Sequence, residues 1–204
     1  MSTRILAVWI LLGAMTLFAC ASLETPSPAE TESVVEVDDA GFYPLSTRTG
    51  VADIDLILAA VESGETQQVR NLLRFITIPC TTTEGLGGPP RCRENESDGT
   101  LIEVFPFLGS EGAYLFKEKL DLWIGIDVTR LYAVYRNSER VYSDENFPAG
   151  EFAILLLSED NIPGTVLQIT NGQIVRIDTV FDTSTQGLLD YLQVYASEML
   201  LPPK

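Results

Sequence analysis

The sequence predicts an α+β fold, a mainly antiparallel sheet packed against N-terminal and C-terminal helices. Three observations predict it. Apolar residues recur at helical spacing between Asp53 and Ile76. Strand-like segments crowd the later chain and end in two apolar runs around Asn171-Gly172, a hairpin signal. Ser184 or Asp182 then caps a last helix with Leu188, Leu192, Tyr195 and Met199 at helical spacing and Pro202 as a stop. Strands adjacent in sequence pair antiparallel through short turns, and helices at the two ends of the chain are left to cover the sheet.

Each element has its own signal. Asp53 can cap a helix whose stripe is Ile54, Ile57, Leu58 and Val61. Ser63-Gly64 interrupts it, and Glu65 to Phe75 resumes with Val69, Leu72, Leu73 and Ile76 apolar, so the segment is one broken helix or a helix pair. "ILAAVESGETQQVRNLL" resembles the helix pair of one ankyrin repeat, but no second copy follows, which excludes a repeat array. "TLIEVFPF" reads as a strand that Pro106 ends or pushes to a sheet edge. Ser110 caps a loose helical stripe that runs to Trp123. "IGIDVTRLYAVYRNS" is strand-like, with Ile124, Ile126 and Val128 in one phase and Leu131, Ala133 and Tyr135 in the other, so a bulge or turn is expected at Thr129-Arg130. "EFAILLLSE" is an unbroken apolar run, the pattern of a buried central strand.

The hairpin allows two registers. A two-residue Asn171-Gly172 loop sets Leu167 against Arg176 and Thr165 against Asp178, mixing apolar and charged groups on one face. A three-residue loop from Thr170 to Gly172 sets Leu167 against Val175 and Thr165 against Ile177, and gathers Leu167, Ile169, Val175, Ile177 and Phe181 on one face. Burial specifies register, so the second is expected, with Gly172 left-handed in a bulge.

The front of the chain assigns a compartment. Arg4 precedes an apolar run from Ile5 to Phe18, and small residues follow, the layout of a secretory signal over residues 1–19. The run falls short of the roughly 20 residues that span a bilayer. "LFAC", Leu17 to Cys20, resembles the lipobox of bacterial lipoproteins, with Phe18 bulkier than usual. That resemblance implies cleavage before Cys20, lipidation of Cys20 and a membrane partner through the anchor; an ordinary secretory signal cut near Ala19 or Ala21, or a retained membrane helix, is the alternative. Residues 20–40 then form an acidic tether with six carboxylates, two prolines and no Lys or Arg. Such a segment buries too little apolar surface to offset its ordering entropy. As a coil it reaches roughly 25 Å and at full stretch about 66 Å. "VVEVDD" within it is an alternative edge strand. Residues 41–204 make the single α+β domain. The expected location is the extracytoplasmic face of the cell envelope.

The chain carries 29 acidic and 13 basic residues, a net charge of −16. That charge repels phosphate backbones and excludes nucleic acid as a partner. No histidine is present, which removes Ser-His-Asp, Cys-His and His-Glu-x-x-His chemistry. Cys80 and Cys92 are spaced C-x11-C, unlike a zinc knuckle or a C-x-x-C redox pair, and in an oxidising compartment they are expected to form a disulfide. The "CTTTEGLGGPP" segment they bracket is no phosphate loop, since no G-K-[ST] follows; it is a rigid connection or a recognition surface. It resembles loops of uncharacterised exported bacterial proteins, which implies no activity.

The remaining candidates for chemistry are carboxylates. Asp127 interrupts an apolar strand near Trp123, and Asp178 pairs with Arg176 on the hairpin; either is a candidate general base, although the Arg176–Asp178 pair reads better as solvated. "SDEN" and "SEDN" lack the spacing of a calcium loop and read as turns. Tyr132, Tyr135 and Tyr142 can fill a sheet face or stack on a ligand. No metal and no cofactor is expected. Leading helices followed by strands and the run "NGQIVRIDTVFD" resemble nuclear-transport-factor-2-like domains, cone-shaped α+β folds, with the turn at Asn171 to Ile174. The resemblance implies a pocket enzyme or a non-catalytic binder; the enzymes of that class often pair Asp with His, which this chain lacks, and the terminal helix is extra. The expected function is therefore a lipid-anchored, non-catalytic binding or envelope-associated domain that takes an envelope protein or a small ligand. A small pocket enzyme with an Asp base is the alternative, and a metal-binding exported domain is a third class.

Overall fold

The computed structural model describes residues 41–83, 85, 87–118, 128–159 and 163–204. The signal, Cys20, the tether and Asp127 lie outside the described residues. Two helices lead, α1 at Ala52–Glu62 and α2 at Thr66–Asn71. They break where Gly64 takes φ +67°, a conformation that favours glycine. The predicted stripe Ile54, Ile57, Leu58 and Val61 is buried. Asp53 is not the cap: Val51 holds that position and no side chain caps the helix. Asp55 instead ties down the preceding loop, accepting from the Thr49 amide at 2.7 Å, the Thr49 hydroxyl at 2.8 Å and the Gly50 amide at 3.0 Å.

The second helix ends at Asn71, short of the expected Phe75. The Arg74 amide donates to the Ile174 carbonyl and the Ile174 amide to the Leu72 carbonyl, and Ile76–Pro79 form strand β1. Ile76, Thr77 and Ile78 are β-branched and prefer the pleat once a partner strand is present. Six more strands follow: β2 Leu101–Leu108, β3 Gly112–Phe116, β4 Arg130–Asn137, β5 Phe152–Leu157, β6 Gly164–Thr170 and β7 Gln173–Val180. Helix α3, Thr185–Tyr195, and strand β8, Ala196–Leu201, close the chain. The sheet order is β1-β2-β7-β6-β5-β4-β8, with β3 on β2. Among these strands pairing is antiparallel except for a two-residue parallel contact of β2 with β7. The class is α+β with a large, mostly antiparallel sheet.

Several expectations are corrected. Of the helix expected from Ser110 to Trp123, Gly112–Phe116 is instead strand β3, which folds back on β2, and residues 119–123 lie outside the described residues. Pro106 neither ends β2 nor lies on an edge strand. Val104 pairs with both Ile76 and Phe116, and Phe107 with both Ile177 and Ala113, so β1 and β7 share one side of β2 and β3 takes the other. The Cys80 amide donates to the Thr100 carbonyl at 2.8 Å, so the alternation of the ladder turns residue 106 toward the β1–β7 side. Pro106 falls there in the gap between the two partners, where a missing amide forfeits no bond.

The bulge in β4 exists, two residues beyond its expected place: the register with β5 shifts between Leu131 and Ala133. Leu131 and Val134 face the α1–α2 core, while Tyr132, Ala133 and Tyr135 face the α3 core. Leu131 and Ala133 therefore lie on opposite faces. In the hairpin neither expected register holds. The turn has two residues, with Asn171 at φ 51° and Gly172 at φ 69°, the left-handed pair of a type I′ turn. Thr170 pairs with Gln173 and Ile169 with Ile174; a bulge at Val175 then sets Leu167 against Ile177. The dipeptide dictates the turn and the bulge restores the apolar face, so local and long-range demands are both met.

The last helix starts as expected, with Ser184 accepting from the Gly187 amide at 3.1 Å. It stops at Tyr195, and Met199 sits in β8 opposite Tyr135 rather than on the helix. Pairing there satisfies the second side of β4, a larger gain than another turn of exposed helix. Strand β5 is central and buried from Ala153 to Leu157, as its sequence predicts. One face of the sheet packs on α1 and α2 and the other on α3.

Candidate functional site

Two places bear functional side chains, and they differ in kind. The first is inside the α3 face. Gln168 lies opposite Arg176 across β6 and β7, and Val166 opposite Asp178. Arg176 is 1% exposed and Asp178 7%, which corrects the expectation of a solvated pair. The guanidinium holds the carboxylate by two bonds, Nε to Oδ1 at 2.5 Å and Nη2 to Oδ2 at 3.0 Å. Gln168 Nε2 adds a third, to Oδ2 at 2.8 Å. Arg176 Nη1 donates to the carbonyls of Tyr142 and Phe147, at 2.8 and 2.7 Å. The residues missed from sequence are these two carbonyls: the segment after β4 folds over the hairpin and supplies the cover. Gln168 Oε1 takes the Gly150 amide and an Asn137 amide proton. A buried ion pair persists when the geometry is good and the leftover donors and acceptors are met, and here the three donor nitrogens of Arg176 and both oxygens of Asp178 are engaged.

Asp178 is consequently a poor base, since a substrate proton would have to displace an existing donor. The Tyr135 hydroxyl is buried nearby. Tyr191 lies beside it, and Tyr135 Oη has no well-formed hydrogen bond among the described residues. Burial, with the Tyr191 and Asp178 oxygens beside it, raises the Tyr135 phenol well above its ordinary value. Tyr132 fills the α3 face, and Tyr142 donates to Asp144 at 2.5 Å. "SDEN" is a turn: Asp144 Oδ1 accepts from the Asn146 and Phe147 amides. "SEDN" runs into residues outside the described set. Among the described residues no three metal-ligating side chains converge.

The second place is an open groove of about 1390 Å³ between the cysteine loop and the β2–β3 hairpin. Cys80 and Cys92 are bonded, with Cα atoms 4.9 Å apart, as expected. The bridge packs in a small core with Ile78, Ile102 and Val104. Loop residues Gly87 to Glu94 line one side, and Phe107, Tyr114 and Phe116 bring aromatic surface from the hairpin. The exposed Phe181 also lines the groove. Arg93 stacks over the Phe116 ring at 5.2 Å and is paired with Glu96 and Glu118. The Tyr114 ring packs on Phe147, centroids 4.9 Å apart. Burial first, and then the Asp144 carboxylate, push its phenol up to about 12. Phe147 thus joins the two places: its carbonyl is held by Arg176 and its ring supports Tyr114. The sequence marks the cysteine loop as a possible recognition surface, but not the aromatic side of the groove, which comes from a segment that only the sheet brings beside it.

No protein-family profile matches this chain, and no curated protein and no solved structure matches it.

Proposed function

We propose that this chain is a lipid-anchored, non-catalytic binding domain on the extracytoplasmic face of the envelope, and that the groove between the cysteine loop and the β2–β3 hairpin is its binding site. One contrast supports the reading. The aspartate best placed for chemistry, Asp178, has both oxygens occupied, whereas the groove brings aromatic side chains together beside a stapled, glycine-rich loop. A groove above the ~1000 Å³ of small-molecule pockets, and open, suits an extended partner better than a reactant that must be shielded from water. The leading helices on one face of a mainly antiparallel sheet favour a cone-shaped architecture, with α3 on the other face as the departure from it.

The test places a photo-crosslinking residue at Phe116, in the groove, and in parallel at Leu189, an exposed site on α3, in the native anchored protein. A discrete adduct at Phe116 and none at Leu189 is expected. Equal labelling at both sites sinks the groove as a binding site.

A further inference from the structure

We infer that the Cys80–Cys92 bridge is a site of thiol–disulfide exchange entered from the groove, with Cys92 the sulfur attacked and a protein dithiol the reactant. The inference goes beyond the binding reading and stands without it. The two ends of the bridge differ in access. Cys80 is 3% exposed and packs with Ile78, Ile102 and Val104. Cys92 is partly exposed and lines the groove, while Cys80 does not. The attacking species is a thiolate, and it reacts at the sulfur it can reach. The charged residues lining the groove, Arg91 and Arg93 against Glu94, Glu111 and Glu118, nearly balance. Access rather than charge therefore selects the sulfur.

The bridge can open without the sheet unfolding, because hydrogen bonds also hold its loop. The Thr81 amide donates to the Pro90 carbonyl and the Cys92 amide to the Thr81 carbonyl, each at 2.9 Å, and the Thr82 amide donates to Asp98 Oδ1 at 2.8 Å. Exposed disulfides that can be attacked in the folded state are the labile ones. The opened form is provided for as well. A bridged sulfur carries no proton, whereas a buried thiol needs an acceptor for its weak donor. The Ser97 carbonyl stands 3.6 Å from Cys80 Sγ and 3.3 Å from Cys92 Sγ. In the first step the partner's thiolate bonds to Cys92 Sγ, the Cys80–Cys92 bond breaks, and its electron pair leaves on Cys80, which takes a proton from water. In the second step the partner's other thiolate bonds to the partner's sulfur in the mixed disulfide and expels Cys92 as a thiolate. The bridge gains two electrons and the dithiol becomes a disulfide; the reverse sequence closes the bridge again.

The experiment uses the full-length protein in detergent, with reduced glutathione as the attacking thiol, acid quenching, alkylation of free thiols and peptide mapping. Glutathione on Cys92 with the alkyl group on Cys80 is expected, in excess of the reverse by about tenfold. In guanidinium, where both sulfurs are reached alike, the excess should vanish. Equal or reversed labelling of the folded protein overturns the inference. So does an excess that persists in guanidinium, or a bridge that resists glutathione until denaturant unfolds the protein. Two single variants read the same asymmetry without the mixed intermediate. Cys80→Ser leaves Cys92 as a thiol and should react with an aromatic disulfide about tenfold faster than Cys92→Ser, which leaves Cys80. Equal rates in variants that keep the native near-ultraviolet dichroism overturn the inference; if either variant fails to fold, the mapping on the native bridge decides.

Discussion

The two charged places of this domain use the same residue types for opposite ends. On β6 and β7, Arg176 and Asp178 are covered by α3 and by the segment from Tyr142 to Gly150, and their polar atoms are spent within the protein. In the groove, Arg93 is matched in the same way, but Glu94 and Glu111 are exposed and make no ion pair among the described residues. The difference teaches that coverage decides whether a charge serves the fold or is left for a partner. A carboxylate under a closed loop must find its donors inside; one beside a stapled hairpin can keep its acceptors for something else.

The sharpest way to break the comparison is Asp178→Ala. It leaves the Arg176 guanidinium buried without its counter-charge, and a loss of about 3–5 kcal/mol in denaturant unfolding is expected. A loss below about 1 kcal/mol would show the pair to be hydrated and the contrast with the groove mistaken. Next in size is the disulfide. Replacing Cys80 and Cys92 by serine should cost roughly 3 kcal/mol or less, from the unfolded-chain entropy of so short a loop. Hydrogen exchange should quicken in β1, β2 and β3 while β5 and β6 stay protected. Uniform quickening across the sheet would mean that the staple serves the whole fold rather than the side of the groove.

The smallest effect is on acid stability. At Asp55, burial works to raise the carboxyl, but the Thr49 and Gly50 donors outweigh it and hold it below the ordinary 3.8. Asp144 is lowered mainly by the Tyr142 hydroxyl. A carboxylate depressed on folding stabilises above the unfolded value and loses that contribution as pH falls through the folded one. Stability should therefore be level down to about pH 5 and decline below about pH 4, with a shallower acid limb in Asp55→Asn. An unchanged limb in that variant removes Asp55 from the account.

Much of the fold is legible in residue order. The α1 stripe, the buried run of β5, the turn at Asn171-Gly172 and the Ser184 cap are local signals whose physics acts within a few residues. The failures are equally specific. Ile76, Met199 and Gly112–Phe116 carry helical spacing yet form strands, because each gains a neighbouring strand that periodicity does not register. Pro106 reads as a terminator, and becomes tolerable only because β2 changes partners at that residue. Of the candidate site, the cysteine pairing and its loop are legible and the aromatic side of the groove is not.

The sequence by itself determined the α+β class, the turn of the last hairpin and the joining of Cys80 to Cys92, since each depends on residue type and short spacing. Only the tertiary structure decided that a bulge at Val175 would realign the hairpin, that Arg176 and Asp178 would be enclosed, and that Tyr114 and Phe116 would face an open groove. The reason is physical: burial is a property of what lies on top, and here the covering segments are 29 to 34 residues away along the chain.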